Sequence, residues 1–280
     1  MMSAEPPTAG MATSGVACAG RFRSCAATHV GTVRTRNEDN YVNRPDLGIW
    51  AVADGAGGHQ AGDVAARVVA EALSEVPSGL GAAELLSEVR LRIIHAHDSI
   101  RAEAARRGGH AVLATTVVAL LAHRSHYACL WAGDSRAYLL RGGRLSQVSH
   151  DHSLVQELVD AGAIGPEEAL SHPRANVITR AVGADFTTLE LDKITDRLRP
   201  GDRFLLCSDG VSKIVPEREI ADLLAEGGVS PAERLIAAAL DRNADDNITA
   251  VTIEFLSDLA DTAATNPAAR FRPPGDWEPS

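Results

Sequence analysis

Four times in this chain an apolar run meets an aspartate beside a glycine or an asparagine. Gly48-Ile-Trp-Ala-Val-Ala53 stops at Asp54-Gly55, and Cys129-Leu-Trp-Ala-Gly133 stops at Asp134. Arg203-Phe-Leu-Leu-Cys-Ser208 stops at Asp209-Gly210, and Asp245-Asp246-Asn247 stands directly before Ile248 to Phe255. Asp and Gly are ordinary turn residues, so any one of these reads most simply as a strand end. Four together are harder to explain that way, because carboxylates brought close repel one another and need a neutralising partner. A hard divalent cation is such a partner. Mg²⁺ and Mn²⁺ take carboxylate, carbonyl and water oxygens in octahedral geometry. Two of them sharing carboxylates can activate a water for in-line attack on phosphorus. Gly55 suits this chemistry, since a glycine lets the backbone turn sharply and present its carbonyl with no side chain in the way. No His/Cys spacing typical of zinc occurs.

A phosphoryl group would need a cation of its own. Residues 31–40, GTVRTRNEDN, supply Arg34 and Arg36 close to Glu38 and Asp39, and a guanidinium fork matches phosphate oxygens bidentately. The plain alternative is a surface ion-pair cluster; its place one strand before Asp54 favours the site. Other phosphate chemistries lack their signatures. There is no Asp-x-Asp string for an aspartyl-phosphate intermediate, and neither GxxxxGK[ST] nor GxGxxG for nucleotide binding. His29, His59, His150, His152 and His172 read as packing or surface groups.

The elements that must position these residues are legible. GIWAVA is a short buried strand. Asp63 to Val76 carries Val64, Val68, Val69, Ala72 and Leu73 on one helical stripe, and residues 83–106 carry Leu85, Leu86, Val89, Ile93, Ile94 and Ile100 on another. TTVVALLA, HYACLWAG and RAYLL, separated by short turns at His123-Arg-Ser and Asp134-Ser, read as an antiparallel meander. Arg203–Cys207 and Ile248–Phe255 are further strands, with short helices near Glu217–Ala225 and Pro231–Arg242 between them. Two long helices before a hairpin-rich stretch indicate α+β layers and not alternating βαβ units.

The chain has 280 residues and reads as one domain, 24–257, between an Ala/Gly/Ser/Pro-rich arm, 1–23, and a disordered tail, 258–280. Its net charge of −10 argues against nucleic acid or anionic membrane as partners, since both need a basic face. No apolar run approaches the ~20 residues of a membrane span, and the N-terminus lacks the pattern of a secretory signal. Cys18, Cys25, Cys129 and Cys207 show no CxxC spacing, and the last two lie in apolar runs as buried thiols. This favours the cytoplasm. No exposed heptad argues for assembly, so a monomer is expected.

Taken in order, VRTRNEDN, VADGAGGH, ATT, WAGDSRAYL, SHDHSLVQELVDAGAI, HPRANVITRAVG, CSDGV and DDNITAV resemble the metal-dependent Ser/Thr protein phosphatases of type 2C (PPM), bacterial branch, over about residues 24–256. The resemblance implies a four-layer α-β-β-α sandwich, two antiparallel sheets flanked by helices. It implies Asp54 as a carboxylate bridging two Mn²⁺ or Mg²⁺ ions, the Gly55 carbonyl and Asp209 and Asp246 as further ligands, and Asp134 as ligand of a third ion shared with Asp209. Arg34 matches the phosphate-binding arginine, whereas Arg36 does not. Glu38 and Asp39 match outer residues that hold metal waters or ligands, and residues 172–183 match a flap over the site. Three positions depart from the pattern. Ala56 stands where other members carry histidine or methionine, which leaves no histidine acid there. Ala114 replaces glycine before Thr-Thr, and Val211 replaces leucine after SDG. The implied activity is hydrolysis of phosphoserine and phosphothreonine in proteins, opposing a Ser/Thr kinase. A non-catalytic module of the same fold is the rival, and its signature would be missing ligand carboxylates. All are present.

Overall fold

A computed structural model describes residues 11–56, 62–108, 113–184, 188–226 and 230–256. The chain opens with a hairpin, β1 (Ala12–Ala19) and β2 (Phe22–His29), followed by β3 (Asn40–Arg44), β4 (Ile49–Ala53) and a two-residue β5 (Gly55–Ala56). Helices α1 (Gly62–Ser74) and α2 (Ala82–Arg106) come next. Then follow β6 (Ala114–Thr115), β7 (Val117–His123), β8 (His126–Ala132), β9 (Arg136–Arg141) and β10 (Arg144–Gln147). After α3 (Leu154–Asp160) and α4 (Pro166–Ser171) the order is β11 (Asp192–Arg197), β12 (Arg203–Cys207), α5 (Asp209–Ser212), α6 (Glu217–Ala225), α7 (Pro231–Leu240) and β13 (Ile248–Phe255).

The strands form two antiparallel sheets, β1-β2-β13-β12-β9-β10 and β11-β8-β7-β4-β3, with β5-β6 as a small separate pair. Side chains alternate across a strand, and here both faces of the central strands are covered. From β4, Ile49, Ala51 and Ala53 pack with α1 and α2, while Trp50 and Val52 pack against the other sheet. From β12, Phe204 and Leu206 enter the core between the sheets, and Leu205 and Cys207 face α6 and α7. Two-sided burial is why these strands are uninterrupted apolar runs and do not alternate with polar residues. The result is helices, sheet, sheet, helices: the expected α+β sandwich of four layers.

Two expectations are corrected. Residues 12–19 are not part of a loose arm. They pair with β2 from Ala12↔Thr28 to Ala19↔Phe22 and form the edge of the six-stranded sheet. Their small, mostly exposed side chains give an edge strand no apolar signature. The meander also breaks: β8 pairs with β7 and β11, whereas β9 pairs with β12 and β10. Gly133-Asp134-Ser135 is therefore a crossing from one sheet to the other and not a hairpin turn. Phe22 and Arg23 of the proposed arm open β2; its residues 1–10 and the proposed tail, 258–280, lie outside the described residues. Cys25, Cys129 and Cys207 are buried free thiols and Cys18 is exposed; burial pushes Cys129 and Cys207 up to about 12. Among the described residues no helix is long and apolar enough to cross a membrane.

Candidate metal centre

Strand register brings the acids to one rim. The C-terminal end of β12 pairs with the start of β13 through Cys207↔Ala250 and with the start of β9 through Cys207↔Arg136. Asp209, Asp246 and Asp134 therefore leave the six-stranded sheet at the same end. Asp54 leaves the facing sheet there too, because β4 pairs with β7 and β7 with β8, whose last residue precedes Gly133-Asp134. The electrostatics agree. The Asp54 carboxyl is held well above the ordinary carboxylate range, first by burial and then by Asp39, Asp209, Asp134 and Asp246. Asp39 and Asp54 flank the open end of the β3-β4 hairpin, where Asn40 pairs with Ala53; Asp134, Asp209 and Asp246 come from segments far along the chain.

Asp54 is positioned through its backbone. Its N–H donates to Thr116 Oγ1 at 3.0 Å, and its carbonyl accepts from Thr116 N–H at 2.8 Å and from Thr115 Oγ1 at 2.9 Å. Thr116 Oγ1 also lies 2.7 Å from Ser135 Oγ, which ties Asp54 to the crossing that bears Asp134. No described residue donates a hydrogen bond to the Asp54 carboxylate. Gly55 is glycine for a different reason from the one expected. Its φ is not in the left-handed region; a Cβ there would come within 2.6 Å of the Glu38 carbonyl oxygen and closer still to that of Gly62. Space, and not turn geometry, excludes a side chain.

Asp39 is buried behind the ligand candidates. Its Oδ2 accepts from Ser208 Oγ at 2.8 Å and from Thr249 Oγ1 at 2.7 Å, residues flanking Asp209 and Asp246. Burial raises its pKa to about 7, the two hydroxyls opposing and Asp209 and Asp246 adding to the rise. Glu38 lies beside it, raised by burial and then by Asp63. The Glu38 N–H donates to Asn247 Oδ1 at 2.8 Å, while Asn247 Nδ2 donates to the carbonyls of Val30 and Arg36, each at 2.9 Å. One amide thus staples the whole 30–38 segment to the start of β13. Arg36 enters that staple through its carbonyl, and Arg34 Nη2 meets Asp246 Oδ2 at 2.8 Å from the solvent edge.

Asp134 is buried, and its pKa is pushed up to about 6 by burial first and then by Asp209, with Lys213 opposing. Asp134 and Asp209 do come together, but the group between them is the Lys213 ammonium. It lies 2.7 Å from Asp209 Oδ2, 3.3 Å from Asp134 Oδ2 and 2.9 Å from Asn176 Oδ1 of the 172–183 segment. Burial works against that charge, yet Asp209 and Asp134 outweigh it and hold the lysine above its ordinary pKa. Lys213 was not singled out in the sequence, although its i,i+4 spacing from Asp209 was readable. Asn176, Thr116, Ser208, Thr249 and Asn247 were equally unassigned, since single hydroxyls and amides carry no spacing signal.

The histidines hold structure. His152 Nδ1 accepts from the Gly133 N–H at 3.1 Å, and its Nε2 meets Asp192 at 3.2 Å. His150 pairs with Asp160, and His59 lies outside the described residues. Arg136, of the Gly-Asp-Ser-Arg string, forks onto the Asp151 carboxylate. The 172–183 segment is anchored by bridges Ser153↔Ile178 and Thr115↔Val182.

The fit to divalent cations follows from the donors. All are oxygens, and they include a carboxylate without a donor at Asp54 and buried, unpartnered Oδ1 atoms on Asp39 and Asp63. Among the described residues no three acidic, histidine or cysteine side chains are gathered tightly enough to hold an ion as they stand. The cations that meet these acids are Lys213 and Arg34, each of which takes up a carboxylate oxygen. The donor types fit hard ions such as Mn²⁺ or Mg²⁺.

Residues 32–242 match the family model described as protein phosphatase 2C. The serine/threonine phosphatase Stp of Listeria welshimeri is 37% identical over 236 residues, which cover 81% of this chain and 93% of that protein. Among solved structures, PppA of Pseudomonas aeruginosa, described as a regulatory component of a type VI secretion system, is 40% identical. It covers 86% of this chain and 99% of its own, with a TM-score of 0.78. The catalytic domain of the phosphatase PstP, solved with two manganese ions, is 36% identical, covers 84% of this chain and 99% of its own, and gives a TM-score of 0.73. With its layers, its rim of acids and these similarities in agreement, the chain belongs to the protein phosphatase 2C family.

Proposed function

We propose that this chain hydrolyses phosphoserine and phosphothreonine in proteins, using two Mn²⁺ or Mg²⁺ ions, with the sandwich from β1 to β13 as the catalytic domain. The observation that carries the reading is the mutual crowding of Asp54, Asp39, Asp134, Asp209 and Asp246 at one rim, with Arg34 at its edge. Asp54, the Gly55 carbonyl, Asp209 and Asp246 would hold the ions. Bound there, these ions supply an activated water and Lewis-acid polarisation of the phosphoryl group. Arg34 turns its guanidinium from Asp246 toward the phosphoryl oxygens and orients them. Asp39 and Glu38 hold the ligand segments from behind: Asp39 accepts from Ser208 and Thr249, and Glu38 is bound to Asn247.

Nothing in this arrangement needs a covalent enzyme intermediate. No described histidine lies among the hydrogen-bond partners of the rim acids, so the proton for the leaving alkoxide would come from water and not from an imidazole. A Ser/Thr kinase is the natural opposing partner, the cytoplasm the expected compartment and a monomer the working unit.

Purified protein should release phosphate from an aryl phosphate and from phosphothreonine peptides with Mn²⁺ and stop when the metal is chelated. Unchanged turnover in Asp209→Asn would rule the assignment out. Tight phosphopeptide binding by calorimetry with no turnover would instead favour a binding module.

A further inference from the structure

The geometry points to Lys213 as a built-in cation: its ammonium takes the place between Asp134 and Asp209 that a third divalent ion would need, so the chain binds two ions and not three. The inference rests on the two-ion reading above and extends it. Lys213 Nζ is within hydrogen-bonding distance of one oxygen of each carboxylate, 2.7 Å from Asp209 Oδ2 and 3.3 Å from Asp134 Oδ2. A Mn²⁺ or Mg²⁺ ion bridging the same two oxygens would have to sit within a few ångströms of Nζ, where two positive charges repel strongly in a partly buried site. It would also need room for the several waters such ions retain.

The lysine is not a surface side chain that happens to lie near. Its side chain is 29% exposed, Asp134 is 4% exposed, and Asn176 Oδ1 accepts its third hydrogen bond at 2.9 Å. An ammonium has three donors and no acceptor, and each donor here has an oxygen. Asp134 and Asp209 share this one ammonium, each through its Oδ2, and Asp209 keeps its other oxygen to serve the two-ion centre. Asp134 is then a partner of Lys213, with the tie to Asn176 linking the pair to the 172–183 segment.

Counting bound Mn²⁺ tests this without reference to turnover. Electron paramagnetic resonance of free Mn²⁺ during titration of the full chain should show two ions bound up to millimolar metal. Lys213→Ser should add a third, weaker ion, and Asp134→Asn placed in that background should remove it again. Asp134→Asn alone should leave the count at two, which keeps the test usable should Lys213→Ser fold poorly. Three ions on the unaltered protein, or two on folded Lys213→Ser, would overturn the inference while leaving the two-ion centre intact. A protein that binds none would overturn both.

Discussion

Arg34 stands at the boundary of the site, with a side chain 56% exposed and one bond to Asp246. An exposed ion pair of this kind contributes ~0–1 kcal/mol to folding, whereas a charge-assisted bond to a phosphoryl group is worth about 1.5–3 kcal/mol. Arg34→Ala should therefore lower kcat/KM roughly 10- to 100-fold and leave the melting temperature nearly unchanged, as steady-state kinetics and calorimetry on one preparation will show. Asp54→Asn should behave differently: if its carboxylate holds the ions as proposed, metal binding and turnover vanish together. The place of Asp54 was legible in the sequence, since an apolar run that stops at a carboxylate marks a strand end. Gly55 was legible as a requirement but not in its cause. Only the approach of Gly62 and Glu38 reveals that the neighbouring backbone excludes a side chain.

At the scale of elements, the crossing from β8 to β9 decides how Asp134 meets the rest. Gly133 has φ +115, and a Cβ there would lie 2.6 Å from the Thr116 side chain. Thr116 in turn holds the Asp54 N–H and meets Ser135. Gly133→Ala should cost about 1–3 kcal/mol in strain, measurable by urea unfolding, and should reduce activity by displacing Thr116. Wild-type activity in a folded Gly133→Ala protein would show that the crossing does not position Asp54. Sequence reading took this crossing for a hairpin because Gly-Asp-Ser serves either role and only partner strands distinguish them. Polar edge strands were missed for a related reason: Arg144–Gln147 and Asp192–Arg197 are mostly exposed and present no alternation to detect.

Over the whole molecule, the core between the sheets and the charge on its rim oppose each other. Trp50 is fully buried, stacks edge-on against Phe22 with ring centroids 5.1 Å apart, and its Nε1 has no hydrogen-bond partner. Trp50→Ala should cost roughly 3–5 kcal/mol. Trp50→Phe should cost markedly less, because it removes an unsatisfied donor along with the lost volume; equal losses in denaturant titrations would contradict this packing.

The rim acids act on stability through pH. Asp39 and Asp134, raised to about 7 and about 6 from 3.8, keep their protons in the folded chain where the unfolded chain has lost them. Their stabilisation is complete below pH 3.8 and is lost as pH rises to about 7. Each group contributes a slope of at most ~1.4 kcal/mol per pH unit. His152, depressed below 6.5 mainly by burial, works the opposite way, but it is one group against Asp39, Asp134 and Asp54. Chelated protein should thus melt at progressively lower temperature across this window. Saturating Mn²⁺ should offset part of the trend, because metal held at Asp54 would replace the proton that burial and the neighbouring acids keep there. Parallel melting profiles with and without Mn²⁺ would show that Asp54 is not a metal ligand.

By itself the sequence determined the strand interiors, the long helices and the identity of the acids, because two-sided burial and abrupt strand ends leave a one-dimensional pattern. Tertiary structure alone decided which strands share a sheet, that residues 12–19 close an edge, and which cation stands between Asp134 and Asp209. The physical reason is that pairing, crossing and charge neutralisation depend on distances between segments far apart in the chain. A lysine four residues after an aspartate looks the same in sequence whether it points to solvent or bridges two buried carboxylates.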